Sequence, residues 1–201
     1  MSDRPTSEYR ETPPPPPLRE ALVCAWTQVV GAGAADYAQR VMPDGCMDVV
    51  LIGDAPPVVV GPMTRAATSL LPPGALLTGV RFRPGHAAAV LGAPASALVD
   101  AAVPLRDLWG RTAASVVEAV AGAPSADARQ AALTAALLRR MADARTADAA
   151  MASAARWLAR HPAGRVERLA DMLGLGERQL RRRFAEAVGY APKTFQRIAR
   201  F

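Results

Sequence analysis

The sequence predicts an α+β protein: a small antiparallel β-rich unit, a helical connector and a C-terminal helix-turn-helix. Three observations carry this. Short apolar runs broken by Pro, Gly and Asp fill residues 18–84. Ala-rich stretches of helical length fill residues 85–160, and residues 161–201 combine helical spacing with dense basic charge. Residues 1–17 are polar and end in five consecutive prolines, so they are expected to be a disordered tail with a short polyproline II stretch.

Taken in order, residues 18–30 are ambiguous between strand and helix. Residues 37–42 and 46–52 flank Pro43-Asp44-Gly45 and suggest a hairpin. Gly53-Asp54-Ala55-Pro56-Pro57 is a second turn, followed by the apolar run Val58-Val59-Val60. Residues 68–71 and 76–82, around Pro72-Pro73-Gly74, suggest another hairpin. The spacing fits a small antiparallel sheet or partly closed barrel. After Arg83-Pro84-Gly85 the pattern turns helical, over residues 86–91, 95–101, 105–121, 125–142 and 147–160. Pro104 stands where a first-turn proline belongs. The last three helices are expected to form a bundle joining the sheet to the basic end.

Composition narrows the function classes. Of 201 residues, 51% are hydrophobic and 21% charged, which excludes a disordered chain. Two cysteines, Cys24 and Cys46, and two histidines, His86 and His161, lie at no ligand spacing, so no metal and no cofactor are expected. The two thiols are expected to be reduced. No uncharged stretch reaches the ~20 apolar residues of a membrane span. Residues 21–35 imitate a signal core, but Asp3, Glu8, Glu11 and Glu20 spoil its flank. A cytoplasmic protein without a membrane partner is the expectation.

The charge is uneven. Residues 1–155 carry 13 Arg against 14 acids, whereas residues 156–201 carry 11 basic residues against Glu167, Asp171, Glu177 and Glu186. Such a concentration is the electrostatic footprint of a polyanion partner, because each neutralised phosphate releases condensed counterions. A solvated basic face without a partner is the competing reading of the charge alone.

The motif within this segment is RVERLADMLGLGERQLRRRFAEAV, residues 165–188. Leu180, Phe184 and Val188 recur every four residues, and Leu173-Gly174-Leu175-Gly176 interrupts the helical pattern before them. Gly174 suits the left-handed conformation that stops a helix, Gly176 stands at the next N-cap, and Gln179 supplies half a capping box. Small Ala170 permits close approach of the second helix. Two short helices joined by such a turn make a helix-turn-helix, with 177–188 as the recognition helix. If Leu180, Phe184 and Val188 point inward, Arg178, Arg181 and Arg182 share the opposite face at i, i+3, i+4. Their forked guanidinium groups match phosphate oxygens and the guanine edge. Gln179 reaches adenine only if it turns to the groove side. Lys193 and Arg197 in the following helix complete the candidate DNA-binding set. An ordinary helical hairpin with an Arg-rich solvent face remains the alternative.

The stretch LADMLGLGERQLRRRFAEAVGYAPKTFQRIARF resembles the first helix-turn-helix of AraC-type (AraC/XylS-like) transcription regulators. The matching residues are Leu169-Ala170, Gly174, Leu180, Arg182, Phe184, Gly189, Pro192 and Phe195. The resemblance implies double-stranded DNA as partner, with Arg178, Arg181 and Arg182 facing it. Gly176 departs from the usual Ser or Thr, which weakens the cap by a few tenths of a kcal/mol. The family pairs two such motifs through a long helix; Phe201 falls inside that helix, so the second motif is absent from this chain. Upstream, Met42-Pro43-Asp44-Gly45-Cys46-Met47-Asp48, Val60-Gly61-Pro62, residues 79–85 and residues 104–109 resemble the N-terminal region of a subgroup of these regulators. That implies a β-rich sensing or dimerising unit, hence a small-molecule effector and a homodimer. The rival reading is a ligand-binding or protein-interaction module whose basic end does not engage DNA alone.

Other candidates carry less. Arg81 and Arg83 alternate with Val80 and Phe82, so both are expected on one sheet face, where they hold an anionic ligand or simply face solvent. Cys46 is a third ligand-binding candidate, or a nucleophile or thiol sensor, but it lies between Asp44 and Asp48, a poor setting for a reactive thiolate. A hairpin residue packing inward is the simpler reading, and no catalysis is expected.

Overall fold

The computed structural model describes residues 6–33, 35–144 and 146–200. An antiparallel six-stranded sheet runs in the order β1 (Ser7–Thr12), β2 (Leu22–Val30), β7 (Leu76–Phe82), β4 (Met47–Ile52), β5 (Val58–Val60) and β8 (Ala102–Pro104). A separate two-stranded ladder joins β3 (Tyr37–Val41) to β6 (Ala67–Leu71). The helices are α1 (Ala87–Leu91), α2 (Leu105–Trp109), α3 (Thr112–Ala121), α4 (Ala126–Asp143), α5 (Ala149–Arg160), α6 (Val166–Met172), α7 (Glu177–Val188) and α8 (Pro192–Ile198). The α+β class is therefore as the sequence indicates.

Strand alternation divides the sheet into two faces. Met47, Val49, Leu51, Val80 and Phe82 join Leu133 and Leu137 of α4 and residues of α1 to α3 in the main core. The opposite face buries Cys24, Trp26, Val30, Val50 and Leu77 together with Leu71 of the small ladder. A register shift between Leu22 and Cys24 changes the parity of β2, so Leu22 joins the main core while Cys24 lies on the other face. Trp26 sits across from Gly79, where any Cβ would collide with the indole ring.

Several expectations are corrected. The supposed disordered tail contains β1, paired with β2 from Ser7↔Val30 to Thr12↔Ala25, and its prolines lead into a 3-10 turn ending at buried Leu18. Residues 1–5 lie outside the described residues. A polar segment that looks disordered alone gains its hydrogen bonds from β2, a partner that local composition does not reveal. Residues 18–30 resolve as strand for Leu22–Val30.

Neither supposed hairpin forms. The turns at Pro43-Asp44-Gly45 and Pro72-Pro73-Gly74 carry the chain from one sheet to the other, and the strands beside them pair as β3 with β6 and β4 with β7. The reason is burial: β4 is central and buries side chains on both faces, Met47, Val49 and Leu51 on one and Val50 on the other, so it takes two neighbours, which are β5 and β7. The second turn, residues 53–57, does join adjacent strands β4 and β5.

The sheet also extends past residue 84, because β8 pairs with β5. Residues 95–101 form only a 3-10 turn at Ala95–Leu98, and residues 105–121 break into α2 and α3 at Gly110. Helix α5, expected in the connector, contributes Met151, Ala154, Ala155 and Leu158 to the C-terminal core.

Candidate nucleic-acid interface

Helix α6 ends as its sequence dictates. Gly174 adopts φ +62° directly after Leu173, the C-cap of α6. The amide of Leu175 donates to the Ala170 carbonyl at 3.0 Å and that of Gly174 to Asp171 at 3.1 Å, the paired bonds of a Schellman stop. The chain then turns through Gly176, whose extended backbone caps α7 without a side-chain bond. Glu177 in the first turn complements the helix dipole. The expected capping bond from Gln179 is not formed.

Leu180, Phe184 and Val188 are buried and pack with Leu169 and Ala170 of α6, with α5, and with Phe195 of α8. Phe184 meets Phe195 edge to face, with ring centroids 5.7 Å apart. Gln196 donates to the Gly164 carbonyl at 2.6 Å, tying α8 to the loop before α6. The elbow is thus a three-sided core of α5, α7 and α8, with α6 laid against it.

This packing leaves Arg178, Arg181 and Arg182 exposed on one face of α7. Arg181 lies 3.7 Å from Glu177 and Arg182 lies 3.3 Å from Glu186, both along the helix. These side chains are more than half exposed, so each pair contributes ~0.5 kcal/mol or less and leaves the guanidinium free to exchange its carboxylate for a phosphate. Gln179 is exposed too, but stands about 100° round the helix from Arg178, on the flank of the arginine face. Lys193 and Arg197 are exposed one turn apart on α8.

Arg183, the fourth residue of the basic run, behaves differently. It makes hydrogen bonds of 2.8–2.9 Å to both carboxylate oxygens of Asp148, which also caps α5 by accepting from the Met151 amide at 3.3 Å. Sequence reasoning did not separate Arg183 from its neighbours by role, although its spacing from Ala187 and Leu180 places it beside the buried stripe.

The elbow is seated on the sheet unit. Gly45, at φ +79°, lies so close to Phe195 that a Cβ would stand 2.5 Å from its ring. Gly189 is likewise pressed against Pro62, and Tyr190 donates to the Met63 carbonyl at 3.3 Å.

Arg81 and Cys46 share one charged neighbourhood with Asp44 and Asp48, whereas Arg83 bonds elsewhere. Arg81 faces Asp48 at 3.3 Å and Asp44 at 3.7 Å, so its charge is already balanced by two carboxylates. Asp48 also accepts from Trp26 Nε1 at 2.8 Å, and burial pushes its carboxyl up to about 6. Arg83 instead donates to the Arg19 carbonyl at 3.2 Å. Burial, then Asp44 and Asp48, hold the Cys46 thiol well above the usual range, which disfavours the nucleophilic thiolate. The Asp44 carboxylate accepts from the Cys46 amide at 2.8 Å, the turn role expected for it. Both cysteines are free thiols. Among the described residues, no three His, Cys, Asp or Glu side chains are grouped to hold a metal ion, and no helix is long and apolar enough to cross a membrane.

Residues 10–104 match the family model of a domain of unknown function, DUF6597. The matched segment starts within β1 and ends on the last residue of β8, so it is nearly coextensive with the six-stranded sheet and its small ladder. The basic helices lie outside it. No curated protein and no solved structure matches this chain.

Proposed function

We propose that this protein is a sequence-specific DNA-binding transcription regulator of the AraC type, cytoplasmic, with α7 as the helix that enters the major groove. The single observation carrying this reading is the standing of Arg178, Arg181 and Arg182 clear of a packed elbow whose turn is closed at Gly174. Arg178, Arg181 and Arg182 contact base edges and phosphates, Gln179 lies at the groove margin, and Lys193 and Arg197 contact backbone phosphates. No bond is made or broken. The sheet unit serves as sensing and dimerising platform for a small-molecule effector. A homodimer supplies the second reading head, about 34 Å away along the duplex.

The test is gel-shift titration of a duplex library selected by the intact protein, over a range of salt concentrations. Binding is expected to weaken steeply with salt and to be lost in the Arg178→Ala, Arg181→Ala, Arg182→Ala triple variant. A triple variant that binds the selected duplexes like the parent overturns the assignment.

A further inference from the structure

A cleft of about 470 Å³ opens between the connector helices α1 and α4 and the elbow. Its floor is the small-residue surface of α1 and the turn after it, including Ala89 and Pro94; one wall is the end of α4, with Arg140 and Asp143; the other is α7, with Arg183 and Glu186. The volume is that of an ordinary small-molecule site.

The charges on the walls differ in how far they are satisfied. Arg183 is committed to Asp148 within the elbow. Arg140 is held rigidly: its guanidinium lies 5.7 Å from the centre of the Trp109 ring and its Nε donates to the Val90 carbonyl at 3.1 Å. Among the described residues no carboxylate lies within ion-pairing distance of Arg140, and no basic side chain within that distance of Asp143. Glu186 adds a second carboxylate on the facing wall, held only by the exposed pair with Arg182. A simple anion would meet Arg140 but also two carboxylates, and a simple cation would meet a fixed guanidinium. A molecule bearing both charges satisfies both walls, and the alanine floor accepts a small apolar body.

We propose that this cleft binds a zwitterionic metabolite of amino-acid or dipeptide size, its anionic end on Arg140 and its ammonium on Asp143 and Glu186. Such a ligand touches α1, α4 and the proposed recognition helix at once, and Glu186 is the residue paired with Arg182 on the DNA face. Drawing Glu186 toward the ligand releases Arg182, so occupancy and DNA affinity are coupled and the coupling is reciprocal. The coupling rests on the proposed function; the binding does not.

The experiment therefore measures the two separately. Thermal unfolding of the full chain is followed with the free L-amino acids and the dipeptide Ala-Ala, and with the amide and N-acetyl forms that each lack one charge. A zwitterion at a hundredfold over its Kd is expected to raise Tm by about 5–10 °C for a chain of this length. The singly charged forms should have little effect. Ala89→Leu, which fills the floor without touching the ion pairs, should abolish the shift, and Asp143→Asn should reduce it at least tenfold in affinity. No shift from any zwitterion, or an equal shift from the singly charged forms or in Ala89→Leu, overturns the site. With the site established, DNA binding titrated with and without the active zwitterion should differ by about twofold, the scale of the exposed Arg182–Glu186 pair; equal affinities overturn the coupling while leaving the site standing. If the protein fails to bind any duplex, the proposed function falls and the thermal result still decides the cleft.

Discussion

Arg183 on α7 clamps Asp148, the residue that caps α5, through hydrogen bonds from two of its nitrogens. The pair is about one-third exposed on each side, sheltered enough to contribute more than a surface ion pair. Arg183→Ala is expected to cost about 1–2 kcal/mol by urea denaturation. Asp148→Ala should cost more, because the cap of α5 is lost with the clamp. Arg178→Ala, on the open face of the same helix, should leave stability within about 0.5 kcal/mol. Equal losses at Arg183 and Arg178 would refute the division of roles.

The open face makes a salt-dependent prediction. With three phosphate-competent arginines removed, the slope of log K against log salt should flatten by up to about 2–3, near 0.9 for each phosphate left unneutralised. Slopes measured for the parent and the triple variant on one duplex check this, and Arg183→Ala should keep the parental slope as long as it is folded.

The elbow turn is tested by two glycines of opposite kind. Gly174 has a positive φ and open space around it, so Gly174→Ala is penalised by conformation alone, by roughly 1 kcal/mol. Gly176 has an extended backbone at an N-cap that any residue adopts, and Gly176→Ser should stabilise by a few tenths of a kcal/mol. Chemical denaturation of both variants would expose an error if the signs came out reversed.

Asp48 imposes a pH dependence. Burial raises its carboxyl from 3.8 in the ordinary state to about 6, so the folded protein holds the proton more tightly than the unfolded chain does. This contribution to stability is complete below pH 3.8 and disappears as pH climbs through about 6. Asp48→Asn keeps an acceptor for Trp26 and removes the titration. Relative to the parent, the variant should therefore gain stability as pH rises between about 4 and 6, and the difference should then level off. A difference that stays constant across that window would contradict the burial of a titrating carboxyl.

Much of the candidate interface was legible because its determinants are local. The four-residue recurrence of Leu180, Phe184 and Val188, the helix stop at Gly174 and the position of Arg178, Arg181 and Arg182 all follow from helical geometry within about twenty-five residues. The different fate of Arg183 was not legible, since its partner Asp148 lies 35 residues away. The hairpins failed for the same reason. A Pro/Asp/Gly turn announces that the chain reverses, but the choice between β3–β4 and β4–β7 pairing depends on which strand must be buried on both faces.

The sequence by itself therefore determined the α+β class, the left-handed stop at Gly174 and the exposed basic stripe, all of which rest on short-range sterics and the period of a helix. Only the tertiary structure decided that Ser7–Thr12 is a strand, that α5 belongs with the elbow, and that Phe195 seats on Gly45. Those outcomes depend on partners distant along the chain, whose meeting is set by burial of both sheet faces and not by any local preference.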